Sequence, residues 1–435
     1  MIRIATLLSG HGITAAATLA RNLMLARLLG PEHYAIAVGI AILVAGAEMV
    51  TTLGLPQFIV SHERGNTRKL QAALHMVHCA RGVVGAGLVL LCAAPLAQLL
   101  NTPSAAPAFQ SAAAVPLILG LIHLDPYRAQ RHQIHMPQIL TLCVPAAVSL
   151  LALGPIIALN DGPESMLYVL LLQACATVLT SHATARCRYR FAFTPAITAH
   201  AVWYGLPLAL NGALMFTVLH AEKFIAGARL GLEEMGLLAM GFTLTLTPAL
   251  IGARCLQAYH LPRLRQKSDN ALGASFLLGA SLAAFLALTV PLAVPALGAG
   301  FTPLVTLIPL LSCLAATRLP KSALSTAALA QGRTYLPPLA NLPRLLMAPI
   351  IWLTLSHGGS VQSLLSLAVL AEGIGLLVGI LVGHRGAFPV TQAALALGAT
   401  TLIIAGQPTF AALLCLGGWI MHLQRPNSPV RPATA

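Results

Sequence analysis

Apolar runs of about twenty residues recur from one end of this chain to the other, separated by short polar turns. That feature restricts the fold more than any motif does. A run of this length crosses the hydrocarbon core of a bilayer as a helix, and in lipid every backbone donor and acceptor must be satisfied within the element or a closed barrel. Composition agrees: 57% of the 435 residues are hydrophobic and 8% are charged, against about 25% charged in soluble domains. The chain is expected to be an all-α integral membrane protein without a soluble domain.

The runs place helices near residues 4–28, 33–60, 71–100, 107–124, 137–159, 165–185, 199–226, 235–258, 271–298, 302–324, 336–356 and 361–382, with two shorter ones near 390–406 and 408–423. The last pair is barely long enough to span at ~1.5 Å per residue against a core of ~30 Å, so the expected count is 12–14. The first run contains Arg21 and Asn22 and reads as a retained helix rather than a signal peptide. Eight cysteines, with no CxxC pair, read as small buried hydrophobes and not as a disulfide framework.

One stretch occurs twice. Ala26-Arg27-Leu28-Leu29-Gly30-Pro31-Glu32 returns as Ala228-Arg229-Leu230-Gly231-Leu232-Glu233, with Arg27 and Arg229 separated by 202 positions and Gly30 and Gly231 by 201. A weaker echo, His135-Met136-Pro137 against Tyr335-Leu336-Pro337, falls at 200. Landmarks in order at near-constant spacing imply two copies of one unit, and in a membrane chain two like halves point to a transporter with its site between them. The reading divides the chain into a lobe at 1–190, a lobe at 191–385, an accessory helix pair at 386–423 and a tail at 424–435.

The net charge of +14 would hint at nucleic acid in a soluble protein. Here the basic residues are scattered singly between apolar runs, as cytoplasmic loops demand, and no nucleic-acid partner is expected. With the N-terminus and Arg3 in the cytoplasm, every even loop is basic: Arg64, Arg68 and Lys69; Arg128 and Arg131; Arg186, Arg188 and Arg190; Arg263, Arg265 and Lys267; Lys321 and Arg333; Arg385. The odd loops are short and acidic or neutral, apart from Arg27 and Arg229, each with an acidic residue a few positions on; the tail carries Arg425 and Arg431, so both termini are expected in the cytoplasm.

Eight charges are read as lying within helices: Arg21, Glu48, Arg81, Glu222, Lys223, Arg254, Arg344 and Glu372. A charge near the bilayer centre costs at least ~3 kcal/mol on insertion scales, so each needs a partner, a cavity or a task. Five are basic, which suits an anionic cargo, and the planar fork of arginine suits phosphate in particular. Arg21, Arg81, Lys223, Arg254 and Arg344 are therefore the candidate substrate-binding residues. Glu48, Glu222 and Glu372 are candidates for ion coupling or plain ion pairing. Arg21 and Lys223 coincide under the repeat; Arg81 and Arg344 lie some ten residues deep from the cytoplasmic side, roughly 12–15 Å. Arg254 is also placed where it would snorkel to cytoplasmic headgroups. His75 with His78, and His132 with His135, lack the carboxylate or thiolate that completes a metal site, and His75 and His78 read as polar lining near Arg81. No phosphate-loop motif or nucleophile constellation stands out, so neither a metal, a cofactor nor an enzymatic activity is expected.

The run from Arg21-Asn22-Leu23 through Ala26-Arg27-Leu28-Leu29-Gly30-Pro31-Glu32-His33-Tyr34, then Leu53-Gly54-Leu55 and Arg81-Gly82, resembles the O-antigen-type oligosaccharide flippases of the multidrug/oligosaccharidyl-lipid/polysaccharide (MOP) exporter superfamily. Ala221-Glu222-Lys223, Gln331-Gly332-Arg333 and Asn341-Leu342-Pro343-Arg344 extend the likeness to about residue 385. Where that family has a branch-typical Asp-Arg, this chain has Glu222-Lys223, which keeps both charges. The resemblance implies two pseudo-symmetric six-helix lobes around a central cavity that opens alternately to either side. It implies a polyprenyl-pyrophosphate oligosaccharide carried across the inner membrane of a bacterium for surface polysaccharide such as lipopolysaccharide. Membrane lipids and polysaccharide-assembly proteins would be the partners. A cation-coupled drug exporter of the same fold would favour acids in its cavity, whereas bases here outnumber them five to three. A membrane-embedded polymerase or ligase would carry a long outer loop, and none is present.

Overall fold

In the computed structural model the described residues are 2–63, 65–264, 271–330, 333, 336–383 and 388–423, and side chains are described outside 2–9, 11, 254–264, 271, 329 and 330. Arg3, Arg64, Arg254, Arg263, Arg265, Lys267, Gln331, Gly332, Tyr335, Arg385, Arg425 and Arg431 therefore lie outside the described residues or side chains. The rest is helical, with no strand among the described residues. The chain forms two compact units, Met1–Ala239 and Met240–Ala435.

The first unit runs through α1 (Ile2–Val50), α2 (Leu55–Ser61), α3 (Arg68–Leu99), α4 (Ala106–Ser111), α5 (Ala114–Leu119), α6 (Asp125–Arg131), α7 (Met136–Leu151), α8 (Leu153–Leu159), α9 (Ser165–Ala183) and α10 (Pro195–Leu230). It ends inside α11 (Leu232–Leu264). Its core joins small and aromatic residues: Ala35, Ile40, Val89, Phe109, Ala112 and Leu167. Helix α10 lies against α1 because Gly205 and Gly212, seven positions apart and so on one face, leave room for the backbone at Leu53 and Met49. With α10 so packed, the first compact unit runs to Ala239.

The second unit holds the rest of α11, then α12 (Ala271–Ala293), α13 (Leu304–Ala330), α14 (Leu336–Ser356), α15 (Val361–Gly383), α16 (Val390–Ile404) and α17 (Pro408–Leu423). Helix α12 packs on α13, α13 and α14 both pack on α15, and α16 and α17 pair with each other and against α12. At 15 and 16 residues, these last two reach only ~22–24 Å by helical rise.

Ten helices among the described residues are long and apolar enough to cross a membrane, and the first of them is 50 residues long, enough for two crossings. The chain is a multi-pass, all-α membrane protein. Three predicted spans differ from expectation: the run at 33–60 is interrupted at Thr51–Gly54, between α1 and α2, and two more are broken. The run at 107–124 is broken into α4 and α5, with Pro107 and Pro116 in their helices and a turn at Ala112–Ala113; proline withholds a backbone donor and clashes with the preceding turn. Packing against α3 keeps the broken segment in place, since Gly82 and Gly120 bring the two backbones together. The run at 137–159 is likewise split at Ala152 into α7 and α8.

The duplicated stretch is visible in the backbone itself. Helix α1 is interrupted at Gly30, with φ 70° and ψ 172°, and α10 ends at Gly231, with φ 106° and ψ 173°. Positive φ with extended ψ is open in practice only to glycine, which explains why both copies carry it at the same place. Arg27 and Arg229, just before the breaks, are both exposed. Gly236 sits so close to Pro31 that a Cβ there would meet the Pro31 carbonyl, so the two copies touch within the first unit.

Candidate functional site

Helix α15 carries a single carboxylate, Glu372, at the midpoint of a 23-residue apolar helix. An isolated charge there would be far too costly to keep, so it gathers partners. Helix α13 contributes Arg318 and Lys321, three positions apart and therefore on one face. Helix α14 contributes Arg344. Lys321 Nζ lies 3.2 Å and Arg318 Nε 3.6 Å from Glu372 Oε1, while Arg344 Nη1 lies 3.7 Å from Oε2. Glu372 and Arg344 are 2% and 4% exposed. All four groups belong to the second unit.

Three cations on one carboxylate leave a formal excess of two positive charges in a buried place. The separations are longer than the 2.7–2.9 Å typical of a charge-assisted bond, so the carboxylate is shared rather than captured by any one base. Buried Nη2 of Arg318 makes no hydrogen bond to any described residue. Gly375, one turn beyond Glu372, lets α14 and α15 approach: a Cβ there would stand 2.3 Å from the Ala340 carbonyl and 3.4 Å from Lys321 Nζ. The arrangement suits an anion with about two charges and several acceptor oxygens.

Two of these residues were not foreseen. The charge alternation counts Lys321 with the basic tenth loop; α13 instead continues to Ala330 and buries Lys321. A proline inside a helix is tolerated where neighbouring helices enclose it. Arg318 lies within the predicted run 302–324 but was not counted among the charges inside helices; its spacing from Lys321 was the available signal.

The first unit treats its charges differently. Arg81, near the middle of α3, pairs one-to-one with Glu48 through a very short contact. Its Nε also donates to Thr51 Oγ1 at 3.2 Å, and Nη1 approaches His78 Nδ1 at 3.5 Å. His78 Nε2 faces the Leu119 carbonyl at 3.1 Å, which fixes the proton on Nε2 and leaves Nδ1 to accept. His75 does not join this lining; it receives the Leu124 N–H on Nε2 and gives Nδ1–H to the Arg190 carbonyl. Arg21 is buried and donates to Gln173 Oε1 at 2.6 Å. Lys223 is buried and donates to the Leu219 carbonyl at 3.3 Å and to His220 Nδ1 at 3.2 Å. Glu222 is buried beside it. The structure thus brings Arg344 together with Glu372, and Arg81 with Glu48, while Arg21 and Lys223 occupy separate places in the first unit.

The family described as "Polysaccharide biosynthesis protein" matches residues 24–308. This chain belongs to that family. Solved structures add the fold of the MOP superfamily. A lipid II flippase, MurJ, in an inward closed conformation, is 12% identical, with 95% of this chain and 97% of that one covered at a TM-score of 0.68. A multidrug resistance MATE family transporter of the MOP superfamily, in an inward-facing conformation, is 16% identical, with 90% and 95% covered at 0.62. A MOP superfamily transporter from Pyrococcus furiosus, described as having a binding pocket of reverse polarity, is 16% identical, with 92% and 95% covered at 0.59. No curated protein matches this family member.

Proposed function

We propose that the chain is a flippase that moves a polyprenyl-pyrophosphate-linked oligosaccharide across the bacterial inner membrane, for surface polysaccharide such as lipopolysaccharide. The observation that carries this reading is the excess of two positive charges held around Glu372 by Arg318, Lys321 and Arg344. A pyrophosphate diester carries about two negative charges and offers the acceptor oxygens that arginine forks recognise. In a medium of lower dielectric than water such pairing is strong enough to draw a headgroup away from the surface. Family membership supports a role in polysaccharide assembly, and a neighbour in fold is by name a lipid II flippase.

In this reading the protein is not an enzyme. Its two pseudo-symmetric lobes work by alternating access, both termini lie in the cytoplasm, and assembly proteins receive the product. Arg344, with Arg318 and Lys321, holds the pyrophosphate. Arg81, Arg21, Lys223 and Arg254 line the remainder of its path, and Glu48, Glu222 and Glu372 serve as ion-pair partners that offset part of this positive charge between cargoes. A cation-coupled exporter is the weaker reading, because Glu48 and Glu372 are already engaged by bases. The test is surface polysaccharide in a flippase-deficient strain complemented at matched protein level. Arg344→Ala and Arg81→Ala should abolish export while the protein still inserts, and Arg81→Lys should retain part of it. Full export by both alanine variants and their double mutant would overturn the reading.

A further inference from the structure

At the end of the first unit where α3 begins and α9 ends lies a second basic feature, a cavity of about 340 Å³ lined by Arg68, Gln71, His75, Arg186, Arg188 and Arg190. No carboxylate lines it. The segment after α9, residues 185–194, has no helix or strand of its own, yet its backbone is pinned at four points. The Arg186 N–H donates to Asp125 Oδ2 at 2.7 Å, and the Cys187 carbonyl accepts from His123 Nε2 at 3.0 Å. The Arg190 carbonyl accepts from His75 Nδ1 at 3.2 Å, and the Ala192 N–H donates to the Ala72 carbonyl at 3.2 Å.

In Arg186-Cys187-Arg188-Tyr189-Arg190 all three arginines line the cavity and are exposed. Tyr189, between two of them, stacks against His75, His182 and His123 with centroids 4.3, 4.8 and 5.4 Å away. Asp125, which holds the Arg186 N–H, is committed to that bond and to Arg128 and Gln71. Burial pushes its carboxyl up, but bonds from Arg128, the Arg186 N–H and Gln71 overcome that and hold it down to about 2. The loop is therefore a fixed frame that presents Arg186, Arg188 and Arg190 beside Arg68, with no carboxylate among the described residues that line the cavity. Loops that merely obey the charge rule of membrane topology need no such pinning.

We infer that this cavity is a binding site for a phosphate-bearing group at the membrane surface. Four arginines with forked donors suit a phosphate monoester or pyrophosphate, and the ends of α3 and α9 place the cavity at headgroup depth. The source is either the headgroup of an anionic lipid or a soluble phosphate. This inference does not rest on the cargo reading: the site lies in the other unit from Arg344 and shares no residue with that cluster.

The test uses the purified full-length protein in detergent. Inorganic pyrophosphate is titrated by calorimetry, and phosphatidic acid, with phosphatidylcholine as the control, by native mass spectrometry. Binding is expected to weaken with salt, and by about tenfold or more in Arg188→Gln/Arg190→Gln, the scale of a lost charge-assisted bond. Arg188→Lys/Arg190→Lys should fall between, since charge remains without the fork. Binding of phosphatidic acid alone assigns the lipid headgroup; binding of pyrophosphate alone assigns a soluble anion; binding of both supports the shared chemistry. The inference is overturned if neither probe binds the unaltered protein above the phosphatidylcholine level. Affinity unchanged in the glutamine pair overturns it too, as does an equal loss in the lysine pair.

Discussion

Removing Arg318 separates the two roles its cluster can play. At an effective dielectric of about 20, its attraction to Glu372 over 3.6 Å is about 4.6 kcal/mol. Arg318 and Lys321 address the same carboxylate oxygen at 3.6 and 3.2 Å, so the two nitrogens stand at most about 6.8 Å apart and repel by at least about 2.4 kcal/mol. Arg344, on the other oxygen at 3.7 Å, stands at most about 9.5 Å away and adds at least about 1.7 kcal/mol. Relief of about 4 kcal/mol offsets a loss of about 4.6 kcal/mol, so Arg318→Gln should change stability by less than about 1 kcal/mol. Glu372→Gln instead leaves three buried cations without a counter-ion and should cost about 3–5 kcal/mol. Chemical denaturation in detergent, followed by fluorescence with Trp352 and Trp419 reporting on α14 and α17, measures both. In complemented cells Arg318→Gln should still lower export by about tenfold or more, because one charge-assisted bond to the cargo is gone. A stability loss above about 3 kcal/mol in Arg318→Gln would make it a structural counter-ion, and undiminished export would remove it from the site.

Gly30→Ala and Gly231→Ala should each destabilise by about 1–2 kcal/mol through backbone strain alone, since φ is positive at both and no atom lies within 4 Å of either added methyl; thermal unfolding in detergent checks it. Asp125 is held below its ordinary range in the folded protein, so the grip it gives the Arg186 segment is present above about pH 4 and is lost as pH falls toward about 2. Hydrogen exchange at Arg186 should accelerate across that window, and Asp125→Asn should show the fast exchange already at neutral pH. Reporter fusions at Asn160 and Arg190 should report opposite sides of the membrane, outside and inside; the same side at both would overturn the helix count between them.

Periodicity and length were enough to reveal most helices, because in a bilayer the span is set by physics that every segment shares. The duplicated Arg27–Gly30 and Arg229–Gly231 stretch was legible for a related reason: only glycine permits the backbone found at both breaks. Arg344 and Glu372 stood out as charges that apolar helices do not carry without cause. Their meeting did not, since pairing depends on which faces of α13, α14 and α15 turn together. Lys321 was hidden by its place near the end of the run at 302–324, where a lysine reads as loop charge until α13 is seen to continue to Ala330. The break between α4 and α5 was hidden in the opposite way, by an apolar run long enough to span that packing holds as two short pieces.

The repeat gives a reason to regard the cluster around Glu372 as something other than scaffolding. Counting back by 202, the positions of Arg318, Lys321, Arg344 and Glu372 fall on Pro116, Leu119, Leu142 and Leu170 in the first copy. None of those carries a charge, and Val115 and Pro116 are buried in a helix held by ordinary packing. The first copy in turn places Glu48 and Arg81 where the second has Leu250 and Ala283. At these positions each copy has apolar or small residues where the other has ions; Arg21 and Lys223, which coincide under the repeat, are the exception. A buried ion pair exchanged for apolar residues of similar volume is commonly neutral or stabilising, so folding alone gives no pressure to keep one. In the first unit Arg81 and Glu48 pair one to one; in the second Arg318, Lys321 and Arg344 share the single carboxylate of Glu372 at the middle of the helices. Such a cluster, standing where leucine and proline occupy the matching positions of the other copy, is the ground on which an anionic ligand is proposed for it.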